Sequence, residues 1–255
     1  MIIDDKIVLD YIAGKDVDKY SDHWIFNCFG ASSIFSAPDP KNIPWVKKLY
    51  LKLIEQIHNF EPRNYSTVKR IFPNFDRIAS EYTIFLVVGF PDPYDAMVLE
   101  HDRKNYLVFD LIQFGEESLN EDYSCHRVLT HEMIHLCLAE DYPDPVNASY
   151  IDDLDYTAFN EGFAHALSFP DDIGSFEFDD YLEKRFEAAK RTLESALKET
   201  DTDKQARYLR TADTGEYWDK FAAIAGKLYL LKNKDRIDEI YHAGWHGFSE
   251  KIIRG

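Results

Sequence analysis

His131-Glu132-Met133-Ile134-His135 decides how this 255-residue chain is read. Two histidines four positions apart project from one face of a helix, one turn from each other. At that spacing two ring nitrogens reach a single tetrahedral zinc ion. Glu132 then lies on the adjacent face, where a carboxylate takes a proton from a metal-activated water. A five-residue string is short enough to arise by chance, so its surroundings decide.

Working outward, Asn120 to Glu140 reads as a helix. Val128, Leu129, Met133, Leu136 and Cys137 give it an apolar side, and Pro143 and Pro145 end it. Before it, Tyr82-Thr-Ile-Phe-Leu-Val-Val-Gly-Phe90 reads as a buried strand closed by Pro91-Asp92-Pro93. Ala96 to His101 and Tyr106 to Ile112 read as two further strands around the turn Asp102-Arg103-Lys104-Asn105. A small antiparallel sheet is therefore expected against the His131–His135 helix. After the helix, an acidic loop from Asp141 to Asp155 leads to a second helix at Tyr156 to Ser168, stopped by Pro170. That loop lacks the alternating ligands and central glycine of an EF-hand and reads as solvated.

The second helix carries Asn160-Glu161-Gly162-Phe163-Ala164-His165. Glu161 follows His135 by 26 positions on a separate element, a workable route to a third ligand. Gly162 costs about 1 kcal/mol in a helix interior, and a close approach of two helices around a shared ion is one reason to tolerate it. Upstream, turn signals fall at Gly14, Gly30 and Pro38-Asp39-Pro40; Trp45 to Phe60 reads as an amphipathic helix, and Tyr65 to Ser80 as a helix broken at Pro73. Downstream, Asp179 to Thr200 and Glu216 to Leu231 read as a charged and a more buried helix. The fold class is α+β and mainly helical, one domain over 1–255. It subdivides into a helical region at 1–80, the sheet and metal-binding helices at 81–170, and a helical region at 171–255.

Composition narrows the partners. The net charge of −17 and the lack of Lys/Arg clusters exclude nucleic-acid binding. No apolar run reaches ~18 residues, and the first residues lack the basic and apolar regions of a signal peptide, which points to the cytoplasm. Cys28, Cys125 and Cys137 are too few and too odd in number for a disulfide framework, and read as small core residues.

The paired motifs carry a resemblance. HExxH followed by a Glu-Gly-Phe-Ala helix resembles the gluzincin zinc metallopeptidases. Asn160-Glu161-Gly162-Phe163-Ala164 is similar to the third-ligand segment of the large zinc aminopeptidases, although the gap is longer here and their Gly-x-Met-Glu-Asn motif is absent. Closer still is a family of small bacterial proteins described as predicted zinc-dependent proteases. These resemble the chain from about residue 80 onward, including a Gly-x-Tyr-Trp-type helix at Gly215-Glu216-Tyr217-Trp218. The resemblance implies a zincin-like fold with one zinc ion per chain held by His131, His135 and Glu161. It implies Glu132 as general base in peptide hydrolysis, and a peptide or protein substrate. Tyr217 is the leading oxyanion stabiliser, with His242 and His246 as alternatives. A substrate strand would pair with Ala96–His101 or Tyr106–Ile112. Where thermolysin-like gluzincins carry an Asp, this chain has His165: a hydrogen-bond partner of a ligand, an alternative ligand, or a packed helix residue. His126 is off the ligand face. The rival readings are an inactive zincin scaffold serving in binding or regulation, and a structural zinc site.

Overall fold

The computed structural model describes residues 1–28, 33–92, 94–119, 124–170 and 172–255. Gly30, Pro93, Asn120 and the side chain of Cys125 lie outside the described residues. The elements run β1 (Ile2–Asp4), α1 (Lys6–Ile12), α2 (Ile43–His58), α3 (Tyr65–Ile71), α4 (Phe75–Glu81), β2 (Thr83–Val87), β3 (Ala96–His101) and β4 (Lys104–Asp110). There follow α5 (Ser124–Asp141), α6 (Tyr150–Ser168), α7 (Asp180–Leu197), α8 (Thr202–Thr211), α9 (Phe221–Lys232), α10 (Ile237–His242) and α11 (Phe248–Arg254). The chain is α+β and mainly helical. It divides into two compact units, one of Met1–Pro62 with Asn74–Leu136, the other of Arg63–Pro73 with Cys137–Gly255.

The first unit is built on a four-stranded sheet in the order β1-β2-β4-β3. The sheet is mixed, which corrects the expected antiparallel one. β1, β2 and β4 are parallel, and only β3 runs antiparallel, to β4. An apolar run such as Tyr82–Phe90 is equally suited to either direction. The connection decides: the chain leaves β2, lays down β3 at the edge, and returns as β4 between them. Asp102 and Arg103 both have positive φ (50° and 61°), so the β3–β4 turn is two residues long rather than four. This starts β4 at Lys104 and puts it in the sheet interior, so the Tyr106–Ile112 stretch has no free edge for a substrate strand. β3 has one. Leu107, Val108 and Phe109 are buried, as a central strand requires. Beyond Phe109, Asp110 is wholly buried and accepts backbone N–H bonds from Phe90 (2.7 Å), Ile112 (2.8 Å) and Gln113 (3.1 Å), which closes the end of the strand.

The second unit has no strand among the described residues. α6 begins six residues earlier than expected. Ser149 and Asp152 form a reciprocal capping box, so Asp152, Asp153 and Asp155 belong to a helix and not to the acidic loop. Asp155 is buried and accepts from the backbone of Gly247 (2.7 Å) and Ser249 (2.9 Å), pinning the start of α11 to α6. α6 packs along α9, and α7 packs on α9. Pro73 separates α3 from α4, as its missing N–H dictates.

Candidate metal centre

α5 turns an apolar side inward: Leu129, Met133, Leu136 and Cys137 are buried. His131 and His135 fall on a half-buried stripe beside it. Their Nε2 atoms are 2.9 Å apart and their rings meet edge to face, with centroids 4.6 Å apart. Two imidazoles bound to one tetrahedral zinc would hold their nitrogens about 3.3 Å apart, so the pair is within a few tenths of an ångström of chelating geometry. Glu132, 8% exposed, stands one residue round the helix. Its carboxylate sits in a largely dry environment, where a proton acceptor is most effective.

Glu161 and His165 sit one turn apart on α6, with Glu161 Oε2 3.6 Å from His165 Nε2. Gly162, between them in sequence, is where α6 meets α9. A Cβ there would come within 2.9 Å of Gly226 backbone, and a Cβ on Gly226 would fall 1.9 Å from the Ala158 carbonyl oxygen. The glycine expected to serve an approach around a shared ion serves instead a glycine-on-glycine crossing, and its partner is α9. Gly226 in turn delivers the next residue, Lys227, to this region.

Lys227 is the functional candidate that motif reading missed. It is 2% exposed and donates to the Tyr217 hydroxyl at 2.6 Å, with its ammonium 4.2 Å from the Phe169 ring centroid. Tyr217 lies in a short 3-10 turn, Tyr217–Asp219, before α9, not on a long helix as expected. Its ring meets that of His165 edge on, 5.8 Å between centroids. The second unit therefore brings Glu161, His165, Tyr217 and Lys227 into one linked cluster. The signal for Lys227 was present as a lone cation amid Phe221-Ala-Ala-Ile-Ala-Gly-Lys-Leu-Tyr-Leu-Leu231, where a charge has to be buried with partners.

Among the described residues, the ligand atoms of His131, His135 and Glu161 all lie within 4.8 Å of one another. Two imidazoles and one carboxylate suit zinc, and three protein donors leave a coordination position for a water. No family model, curated protein or solved structure matches the chain.

The other candidates fall elsewhere. His246 is a surface residue 3.8 Å from Asp152, which precedes Glu161 by about 13 Å along α6 at 1.5 Å per residue. His242 is exposed, its Nδ1 2.8 Å from the Asp238 carbonyl. His126 packs on Phe60 and bonds the Glu61 carbonyl. Cys137 is buried and Cys28 partly so, and neither is in the three-donor group. Near Glu161, Asn160 donates to the Tyr156 hydroxyl at 2.9 Å. Burial, and then the bond with Asp144, push that phenol well above the usual tyrosine range, so it stays protonated.

Proposed function

We propose that the chain is a zinc-dependent amide hydrolase of the zincin type, acting on peptides, with His131, His135 and Glu161 as metal ligands and Glu132 as general base. The observation that carries this reading is the convergence of the three donor atoms within 4.8 Å, with a carboxylate next to the first histidine. When bound, zinc supplies Lewis acidity, polarising a carbonyl and lowering the pKa of water towards ~7. Glu132 accepts a proton from the attacking water and returns it to the leaving amine. Tyr217 donates a hydrogen bond to the oxygen on which negative charge develops. The free edge of β3 suits an extended peptide, which it would hold by main-chain hydrogen bonds. A closed structural zinc site needs a fourth protein donor, and among the described residues the group that could hold a metal comprises His131, His135 and Glu161.

The purified protein is expected to retain about one zinc per chain by elemental analysis, and a metal-free preparation that does not take up zinc refutes the site. Against a peptide library, cleavage by the wild type should vanish with EDTA and return with zinc. Glu132→Gln should keep the metal and lose cleavage. A zinc-loaded wild type that cleaves nothing would favour the binding or regulatory scaffold.

A further inference from the structure

In a chain of net charge −17, a half-buried arginine with no carboxylate beside it is out of place, and Arg185 on α7 is one. Its Nε donates to the Tyr181 hydroxyl at 3.2 Å, and among the described residues no acidic group pairs with it. Asp180 and Asp219, the chain neighbours of Tyr181 and Trp218, do not take it. Arg191, Arg207 and Arg210 also lack an acidic partner, but all three are exposed to water. Arg185 is seated on aromatic rings instead. Its guanidinium carbon is 4.9 Å from the Trp218 ring centroid and 5.2 Å from that of Tyr181, and the two rings meet edge to face at 5.7 Å. Contact with a ring face orients the guanidinium plane without using an N–H. With Nε on Tyr181, the two terminal nitrogens remain side by side, the fork that matches the two oxygens of a carboxylate.

This seat adjoins the candidate centre within the second unit. Trp218 follows Tyr217 in the same 3-10 turn, and their rings are 5.0 Å apart. Tyr217 in turn meets His165 at 5.8 Å, one turn of α6 from Glu161. End to end, the steps from the guanidinium to His165 span at most about 16 Å, the reach of four to five extended residues. We propose that Arg185 binds a carboxylate of the substrate, which restricts the hydrolase to peptides bearing an anion within about five residues of the cleaved bond. The proposal rests on the hydrolase reading above and names its substrate class. The fork fits a C-terminal carboxylate or an Asp or Glu side chain equally. A chain that repels anions at long range has to offer a local cation if its substrate carries one.

Two readouts test this. The first compares cleavage of three peptide libraries free of Asp and Glu except as stated: one with a free C-terminal acid, one with a C-terminal amide, and one with the amide and a single Glu. Wild type is expected to cleave at least one of the acid-bearing libraries with kcat/KM on the order of 10–100-fold above the neutral amide, mostly through KM. Preference for the free acid alone assigns the C-terminus, and preference for the Glu library alone assigns a side chain. Arg185→Gln should bring the acid-bearing libraries down to the neutral one at the same zinc content. Arg185→Lys, which keeps the charge without the fork, should recover part of the preference. Equal cleavage of all three by wild type, or a preference that survives Arg185→Gln, overturns the proposal and leaves the hydrolase reading intact. The second readout needs no activity. The Nε–H resonance of Arg185, identified by its loss in Arg185→Lys, is followed by NMR as N-acetyl-alanyl-alanine or its amide is added. The acid should shift it and the amide should not. No shift with the acid overturns the carboxylate site whether or not the protein turns over. A zinc-loaded wild type that cleaves nothing yet shows the acid-only shift overturns the hydrolase reading and keeps the carboxylate site.

Discussion

Gly226→Ala tests the packing that holds α6 and α9, and through them Glu161, His165, Tyr217 and Lys227. The added methyl would sit 1.9 Å from the Ala158 carbonyl oxygen and 3.0 Å from the Gly162 Cα. Comfortable contact lies near 3.5 Å, so the helices have to part by on the order of 1.5 Å. A gap of 0.5–1 Å already forfeits roughly a quarter to a half of each contact's dispersion energy. Because the obstacle is backbone and cannot rotate away, the cost belongs at the top of the usual overpacking range, about 3 kcal/mol. Alanine's better helix propensity returns about 1 kcal/mol, leaving a net loss of about 2 kcal/mol. For a chain of this size that corresponds to a drop in Tm of roughly 4–8 °C. Thermal melts followed by circular dichroism, repeated with urea at fixed temperature, measure it. Gly162→Ala meets backbone at 2.9 Å and should lose distinctly less. A Gly226→Ala protein as stable as the wild type, or more stable, would refute the crossing.

Four further outcomes are expected. Glu161→Ala should abolish zinc retention, whereas His165→Ala should weaken it less, measured by competition with a chromogenic chelator; the reverse order would make His165 the third ligand. Asp155→Ala removes the acceptor of two backbone N–H groups at the start of α11 and should cost on the order of 2–4 kcal/mol in urea unfolding, a loss absent if water replaces it. Burial pushes the Asp110 carboxyl up to about 7, against the backbone N–H groups of Phe90, Gln113, Ile112 and Gly89, which favour its charged form. The folded value lies above the unfolded one, so the native state binds the extra proton. This group's contribution is complete below pH ~4 and is lost as pH rises towards ~7, at about 1.4 kcal/mol per pH unit. The stability advantage of wild type over Asp110→Asn should therefore shrink by roughly 2 kcal/mol between pH 5 and 7, and a pH-independent difference would contradict it.

Helices with strong periodicity and clear stops were legible in the chain: α2, the break at Pro73, and α5 with its two histidines one turn apart. β3 was legible too. Three kinds of feature were not. β1, at three residues, is too short to carry a pattern, and its parallel pairing with β2 bridges nearly eighty residues of chain. The start of α6 was hidden because Asp152, Asp153 and Asp155 look like loop chemistry, while a capping box and two N–H bonds at Asp155 make them helical. The sequence pattern runs a helix from Glu216 through Trp218 into the apolar run that follows, whereas Glu216 and Lys220 bracket a separate 3-10 turn.

The sequence by itself brought the candidate donors together in pairs. Helical periodicity alone puts His131 beside His135 and Glu161 beside His165, because neighbours four apart on a helix meet whatever the rest of the chain does. Which strand keeps a free edge, why Gly162 is glycine, and that Lys227 reaches Tyr217 were decided only in three dimensions. Each depends on a contact between residues distant in the chain, and hydrophobic patterning says that a face is buried without saying against what. The two glycines show the difference most plainly. Each is a local weakness in its own helix, and only the crossing of α6 with α9 makes both of them necessary.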